Sequence, residues 1–329
     1  MSMQIHTTLS RRSALAAFGA LGAAAWAPRA WAQSDKPVKF ILPVSAGSGV
    51  DAIVRGAAPA LGKALNVAVV VENQPGAGGV VGTQAIVKAA PDGHTLGVVS
   101  NNHVIYPSVL KSVPFDPLAD ITPITIVATS PMVLVVNPKV PARNMAELVA
   151  LLKANPGKYN YASSGNGTIL HLAAELFKSV TGTHITHIPY RGTGPMMGDI
   201  IGGQIDMGVL AMPAAHGQIK SGALRAICVA SAKRSTGAPD VPTAAEQGFA
   251  GYAVEGWSAA VGPKGLPADQ VRRLHQAFAS AFATPEVQEA MDKQGNTIVI
   301  SSPEQAQAHF KSEFAKYAAI VKRAGVVPQ

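Results

Sequence analysis

The sequence is poor in cysteine, in aromatic residues and in charge. Cys228 is its only cysteine, which excludes an intramolecular disulfide and a cysteine-rich zinc site. Aromatic residues make up 5% of the chain, which disfavours a large groove that stacks on sugars. Basic residues cluster at most in pairs such as Arg272-Arg273, so no nucleic-acid footprint is visible. We therefore expect no metal, no cofactor and no nucleic-acid partner.

The first 32 residues have the pattern of an export signal. Arg11 and Arg12 precede an apolar stretch over 14–26, and the small-x-small pattern Ala30-Trp31-Ala32 follows it. That stretch is shorter than the roughly 20 residues that a transmembrane helix needs. We predict a signal peptide over 1–32, cleaved after Ala32, and a protein located in the periplasm. The twin arginine permits the Tat route as well as the Sec route.

The mature chain is predicted to be soluble and mildly basic. No later segment is long and apolar enough to span a bilayer. Removing 1–32 leaves 24 Lys and Arg against 19 Asp and Glu, a net charge near +5 that is spread along the chain. A weak positive field of this kind favours the arrival of anionic solutes.

Short β-branched runs alternate with longer helical patterns, which indicates βαβ units and a largely parallel sheet. The predicted strands cover 38–44, 67–72, 95–100, 124–128, 132–137, 160–162, 186–188, 205–209 and 224–230. The predicted helices cover 51–64, 82–90, 145–155, 169–181, 195–202, 214–221, 268–283, 285–294 and 303–324. This α/β pattern predicts two lobes with a cleft between them.

The domain organisation follows from the same pattern. After the signal peptide we assign 33–131 to lobe 1 and 132–254 to lobe 2. Residues 255–329 return to lobe 1, where the C-terminal helices pack. The chain then crosses between the lobes twice, and crossings of that kind act as hinges around a ligand.

A strand that runs into a glycine-rich loop and a helix is the first candidate site. Gly47 and Gly49 let the backbone approach a ligand, and the amides at the helix start favour an anion. Asp51 either caps the helix or accepts a hydrogen bond from a ligand. The candidate ligand contacts here are Ser45, Gly47, Ser48, Gly49, Val50 and Asp51.

A second loop of hydroxyls and glycines opens a helix in the predicted second lobe. Its candidate contacts are Ser163, Ser164, Asn166, Gly167 and Thr168, and His171 lies one turn into the helix as a pocket group or a packing residue. After the next strand, Tyr190 and Arg191 follow, and Arg191 pairs with a ligand carboxylate or with a surface acid. Two such half-sites facing each other suit one carboxylate.

Signatures of catalysis are missing from the sequence. Gly-x-Ser-x-Gly and His-Glu-x-x-His are absent, and no nucleophile lies at a recognisable spacing from a base. We therefore expect a binding protein and not an enzyme. The alternatives are a periplasmic enzyme that acts on a small carboxylate and a sensor that presents its ligand to a membrane kinase.

Several short motifs occur in a fixed order along the mature chain, from about residue 37 to 325. They are the loop 47–51 with Arg55, Asn73-Gln74-Pro75-Gly76-Ala77-Gly78-Gly79, Pro91-Asp92-Gly93-His94-Thr95, 163–171, 187–192, 202–206, 231–234, 240–248 and Gly256-Trp257. Together these stretches resemble the Bug family of periplasmic receptors for tripartite tricarboxylate transporters, and their joint occurrence is far more specific than any one of them.

The resemblance implies a Venus flytrap of type II-like topology, in which two α/β lobes close on one ligand. It implies that loops 45–51 and 163–168 grip a carboxylate, and it adds Asn102 and Asp206 to the candidate contacts. The sequence departs from the family pattern at Ser48 and at Asn101-Asn102-His103. The expected partners are a dicarboxylate, tricarboxylate, amino acid or aromatic acid, and membrane transporter subunits, with the receptor itself a monomer.

Overall fold

The computed structural model describes residues 36–324 and 328. The predicted signal peptide and its cleavage site lie outside these residues. Within the described part of the chain, no helix is long and apolar enough to cross a membrane. Strands and helices alternate along the first two thirds, and three helices dominate the last third.

Within residues 36–324, ten strands form the sheet. They are β1 (Val38–Leu42), β2 (Val69–Asn73), β3 (Thr95–Ser100), β4 (Ile121–Val136), β5 (Asn160–Ser163), β6 (Thr186–Pro189), β7 (Met207–Ala211), β8 (Arg225–Val229), β9 (Glu255–Pro263) and β10 (Thr297–Ile298). Their order is β2-β1-β3-β9-β4-β7-β5-β6, and both β8 and β10 pair with β4. The pairs β1–β2, β1–β3, β5–β6 and β5–β7 are parallel, as the βαβ pattern predicts. The other five pairs among the described strands all involve β4 or β9 and are antiparallel, so the expectation of a largely parallel sheet was wrong at its centre.

Ten α-helices cover the sheet in the part of the chain that the structure describes. They are α1 (Gly49–Leu65), α2 (Val80–Val87), α3 (Asn102–Val109), α4 (Met145–Ala154), α5 (Ile169–Thr181), α6 (Thr193–Gly202), α7 (Met212–Lys220), α8 (Ala268–Phe282), α9 (Pro285–Lys293) and α10 (Pro303–Ala324). Two of these helices begin at a residue whose hydroxyl caps the helix. The hydroxyl of Ser48 accepts a hydrogen bond from the backbone amide of the third residue of α1, and the hydroxyl of Thr168 accepts one from the amide of the third residue of α5.

The long strand β4 belongs to both halves of the sheet. Its first part, from Ile121 to Pro131, pairs with β9, whereas Met132 to Val136 pair with β7 and β8. The sequence predicted two separate strands here, and this was wrong, because the chain stays extended through Pro131. The pairing therefore changes partners between Pro131 and Met132.

Among the described residues there are two hydrophobic cores, one within the first half and one that spans both halves. In one, Phe40 of β1 packs edge-on against Phe278 of α8 at a ring-centroid distance of 5.7 Å. The same core includes Met291 of α9, which lies against Gly56 of α1. The other core contains Phe177 and Tyr161 of the second lobe and extends through β4 to Phe310 of α10.

The C-terminal helices pack on the first lobe, as predicted. Helix α8 lies on α1, and α10 lies on α3 and β4. The ring of Phe310 in α10 contacts the rings of His103 and Trp257, with distances between ring centroids of 5.6 Å and 5.3 Å. Helix α10 also reaches α5 of the second lobe, so it touches both halves of the cleft.

Candidate ligand-binding site

A cavity of about 620 Å³ opens where the carboxyl ends of β1, β3 and β5 face one another. Its wall includes the loop after β1, the glycine-rich segment Pro75–Gly79, the start of α3, the loop after β5, the segment after β6 and the start of β9. Ligands of α/β proteins bind at the carboxyl ends of the strands, so the topology itself indicates this position.

The first loop presents the start of α1 to the cavity. Ser48 is buried, and its hydroxyl accepts a hydrogen bond from the Asp51 amide at 3.2 Å. Gly49 and Val50 are the first two residues of α1 and line the cavity. The first N–H groups of a helix have no partner within the helix, and they attract anions. This end of α1 can therefore hold a negatively charged oxygen.

Asp51 braces this loop and does not line the cavity. Its Oδ2 accepts from the amide of Gly47 at 3.0 Å, while its Oδ1 accepts from Nε of Arg55 at 2.8 Å and from Nδ2 of Asn73 at 2.9 Å. The carboxylate is buried, and both oxygens are in use. The cap of α1 is Ser48, so Asp51 does not cap the helix; its carboxylate instead holds the loop before α1.

The second loop presents the start of α5 from the other lobe. Ser164, Gly165 and Asn166 line the cavity. Thr168 stands behind them, since its hydroxyl donates to the Gly165 carbonyl at 2.8 Å and receives a hydrogen bond from Ser164 Oγ at 3.1 Å. A side chain at Gly167 would overlap Val109 of α3, and the backbone there has a φ of +72°. Gly167 therefore lies against the opposite lobe and outside the cavity wall.

Two hydrogen bonds join the lobes at the cavity. In the first, Oδ1 of Asn102 accepts from the amide of Ile169 at 2.8 Å. The same side chain is held within its own lobe, because its Nδ2 donates to the Gly78 carbonyl at 3.3 Å. On the other side, the hydroxyl of Ser45 accepts from the amide of Gly194 at 3.2 Å. The lobes are thus in contact across the cavity, as in a closed flytrap.

A stack of three rings supports the second loop from behind. The rings of His171 and His187 lie 4.2 Å apart, and that of Tyr161 lies 4.8 Å from His187. Nδ1 of His171 accepts from the amide of Gly167 at 3.0 Å, and Nε2 of His187 lies 2.6 Å from the Ser163 hydroxyl. His171 therefore positions the loop and does not line the cavity.

The environment of these rings keeps both imidazoles neutral. Burial, helped by the neighbouring His171, lowers the pKa of His187 to about 4. Burial also lowers the pKa of His171, although the carboxylate of Glu175 opposes this shift. Glu175 bonds the hydroxyl of Tyr161 and the ammonium of Lys178. A neutral His171 is required here, because a protonated Nδ1 cannot accept from Gly167.

The segment after β6 carries the charge of the cavity wall. Tyr190 lines the cavity and donates its hydroxyl to Oδ2 of Asp199 at 2.6 Å. Arg191 lines the cavity at an exposed position. Within residues 36–324, no ion pair is formed by Arg191, so its guanidinium is open to a ligand.

The structure brings nine of the sixteen candidate contacts into the cavity wall. They are Ser45, Ser48, Gly49, Val50, Asn102, Ser164, Asn166, Tyr190 and Arg191. The other seven are Gly47, Asp51, Ser163, Gly167, Thr168, His171 and Asp206. Six of these shape the two loops through the contacts described above. Asp206 is remote, because it precedes β7 at the amino ends of the parallel strands, where it accepts from the Asn160 amide at 2.8 Å.

Several wall residues were not among the candidates. They are mostly apolar or small, and they include Ile53, Ser100, Ser130, Met132, Leu170, Ala211 and Ser258. Trp257 also lines the cavity, with its backbone amide bonded to Asn101 Oδ1 at 2.9 Å and its indole N–H bonded to Glu313 at 2.9 Å. The Gly256-Trp257 pair was visible in the sequence as part of the family resemblance.

The chemical groups on the cavity wall suit an anion. No group of three or more His, Cys, Asp or Glu side chains is placed to hold a metal ion in the part of the chain that the structure describes. The cavity offers hydroxyls, amides, glycine backbone and one guanidinium, which are groups that bind an anion by hydrogen bonds.

Comparisons with known proteins agree with this geometry. The chain is 37% identical to the protein BugT of Bordetella pertussis over 292 residues, which is 88% of this chain and 90% of BugT. The solved structure of the periplasmic binding protein BugD matches with a TM-score of 0.86 at 33% identity, over 89% of this chain and 99% of that one.

A third match is a structure that contains a carboxylate. It is Rpa4515 of R. palustris with adipate, with a TM-score of 0.86 at 28% identity, over 91% of this chain and all of that one. In addition, the profile described as "Tripartite tricarboxylate transporter family receptor", TctC, matches residues 53–326. The chain therefore belongs to the tripartite tricarboxylate transporter receptor family, of which the Bug proteins are members.

Proposed function

We propose that this chain is a periplasmic receptor that captures a small carboxylate and delivers it to the membrane subunits of a tripartite tricarboxylate-type transporter. It performs no chemistry on the ligand. The observation that carries this function is the convergence of two helix starts, α1 from one lobe and α5 from the other, on one cavity. The adipate in the Rpa4515 structure supports a carboxylate as the ligand.

The carboxylate lies between the two loops in this proposal. The amides of Gly49 and Val50 donate from one side, and Ser164 and Asn166 contact it from the other. Each charge-assisted hydrogen bond is worth about 1.5–3 kcal/mol. Three or four of them, less the cost of closing the lobes and ordering the ligand, give a dissociation constant on the order of micromolar.

Export to the periplasm is part of the same proposal. The predicted signal peptide over 1–32, removed after Ala32, supplies the route. The periplasmic BugD, which matches nearly the whole mature chain, supports this location. Mass spectrometry of the protein secreted to the periplasm of a Gram-negative host would give the cleavage position, and size-exclusion chromatography with light scattering would test the proposed monomer.

A bulky residue in the second loop tests the binding site. Ser164→Phe fills the space next to Gly165 and is expected to abolish binding of every carboxylate that the wild type binds in calorimetry. Ser221→Phe is the matched control, because Ser221 is exposed at the end of α7 and outside the cavity. If the two variants bind equally well, the ligand does not lie in this cavity.

A separate measurement distinguishes a receptor from an enzyme. The protein is incubated with its tightest carboxylate, and the solution is analysed by mass spectrometry. A receptor returns the ligand unaltered and in full. Turnover at a rate above that of the Ser164→Phe variant would show that the cleft carries out a reaction.

A further inference from the structure

The charge on the cavity wall is of one sign, which is positive. Among the described residues that line the cavity, Arg191 is the one side chain with a full charge, and none is an aspartate or a glutamate. Asp51 lies next to the wall, but its two oxygens are taken by Gly47, Arg55 and Asn73. Asp199 is held by the hydroxyl of Tyr190 and does not line the cavity.

This distribution disfavours an amino acid as the ligand. An amino acid would bring an ammonium group into the cavity together with its carboxylate. The ammonium would lose its water without meeting a carboxylate of the protein, and an unpaired buried charge is strongly unfavourable. The hydroxyls and carbonyls of the wall could accept its hydrogen bonds, but they would not neutralise it.

The same wall disfavours a tricarboxylate. A citrate-like ligand carries close to three negative charges at neutral pH, because carboxylic acids ionise near pH 4. The helix starts and Arg191 suit the first of these charges. No second Lys, Arg or His side chain lines the described wall to meet the others.

Apolar side chains face the cavity from five different elements. Ile53 comes from α1, Met132 from β4, Leu170 from α5, Ala211 from β7 and Trp257 from β9. All but Ala211 are more than nine-tenths buried. When the apolar part of a ligand lies among these side chains, it is removed from water. Each methylene group buried in this way strengthens binding about fourfold. The cavity of about 620 Å³ has room for such a body behind a carboxylate.

We infer that the ligand is a carboxylate that has no amino group and whose body is apolar, either an aliphatic chain or an aromatic ring. This inference rests on the proposed function, since it identifies the class of solute for the same cavity. A ligand of this class would distinguish this chain from a receptor for amino acids or for tricarboxylates, although the same fold could bind either.

Matched ligand pairs test the inference by calorimetry on the mature protein. The pair 3-phenylpropionate and L-phenylalanine differs only by the ammonium, and we expect the first to bind at least about tenfold more tightly. Hexanoate is expected to bind roughly fifteenfold more tightly than butyrate, from two methylenes at about fourfold each. Citrate is expected to bind more weakly than hexanoate.

A pair of variants at one position tests the charge argument. Ser100 is half-buried in the cavity wall at the end of β3. Ser100→Asp adds the missing carboxylate and is expected to shift the preference toward L-phenylalanine by about tenfold or more. Ser100→Asn is the uncharged control of the same size and is expected to keep the wild-type preference. If either variant fails to fold, the wild-type ligand pairs still decide.

The outcomes separate the inference from the proposed function. Tight binding of L-phenylalanine or citrate, with weak binding of 3-phenylpropionate and hexanoate, overturns the inference and leaves the carboxylate receptor intact. Binding of none of the probes, even at millimolar concentration, also overturns the inference, while the Ser164→Phe comparison still decides the proposed function. The expected order, lost in Ser164→Phe, supports both.

Discussion

The Oδ1 of Asn102, at the start of α3, accepts a hydrogen bond from the amide of Ile169, at the start of α5, at 2.8 Å. These residues belong to different lobes, and both line the cavity. Nδ2 of Asn102 donates to the carbonyl of Gly78, which fixes the orientation of the side chain amide. Asn102 thus ties the second loop to the first lobe when the cleft is closed.

Replacing Asn102 is expected to favour the open cleft. Asn102→Ala removes the bond to Ile169, and a hydrogen bond of this kind is worth about 0.5–1.5 kcal/mol, or up to roughly tenfold in affinity. Small-angle scattering of the unliganded protein should show a larger radius of gyration than that of the wild type. Calorimetry should show weaker binding of the ligand. Asn155→Ala, which removes a bond to Leu151 outside the cavity, is the control. An unchanged radius would show that Asn102 does not hold the lobes together.

Asp51 is predicted to act on stability and on binding together. Asp51→Ala removes the acceptor for Gly47, Arg55 and Asn73 and releases the first loop. Hydrogen bonds to charged groups are worth about 1.5–3 kcal/mol, so we expect urea denaturation to show a loss of roughly 2 kcal/mol. Ligand affinity should fall as well. A loss of affinity with unchanged stability would instead mean that Asp51 contacts the ligand directly.

The histidine stack predicts a loss of stability in mild acid. The folded pKa of His187 is about 4, below the unfolded value of about 6.5. Between these two values the unfolded chain binds more protons than the folded one. The contribution of His187 is therefore fully present above pH 6.5 and is lost as the pH falls toward 4. The buried His103, whose pKa is also lowered to about 4, acts in the same direction.

Denaturation curves at several pH values between 7.5 and 4.5 test this prediction. The groups that face His187 are His171, Glu175 and Lys178, and the carboxylate of Glu175 moderates the effect. His187→Gln removes one titrating ring and is expected to flatten the dependence of stability on pH. His184→Gln is the control, because His184 is exposed. Equal slopes in both variants would contradict the prediction.

The periodicity of the sequence predicted most of the fold. Helix Ile169–Thr181, helix Pro303–Ala324 and strand Thr95–Ser100 have the predicted bounds. Helix α3 was missed because Pro107 interrupts a short segment that is buried on nearly every side. Strand β9 was missed because its glycine and alanine residues lack the β-branched signal, and its position between β3 and β4 depends on pairing across the chain.

The part of the candidate site that consists of backbone amides, in the two loops, was predictable from the sequence. Glycine and hydroxyl patterns located both loops, since those residues are required for the turns themselves. The apolar part of the wall was not predictable, because Ile53, Met132 and Leu170 look like ordinary core residues in their own elements. Only the packing of the two lobes turns these side chains toward a shared cavity. The domain boundaries at 131/132 and 254/255 stay a prediction.

Two buried serines of the cavity wall should respond in opposite ways to loss of the hydroxyl. Ser130 donates to Oδ1 of Asn296 at 2.6 Å, whereas the hydroxyl of Ser258 has no partner in the described structure. Ser130→Ala leaves the buried Asn296 oxygen without that donor, and we expect a cost of about 1–3 kcal/mol. Ser258→Ala loses no hydrogen bond and removes an unsatisfied polar atom, so the unliganded protein should be as stable as the wild type or more stable. Thermal denaturation of the two variants without ligand measures the difference. A large loss in Ser258→Ala would reveal a hydrogen bond to ordered water in the cavity, since water is the remaining partner for an oxygen at that position.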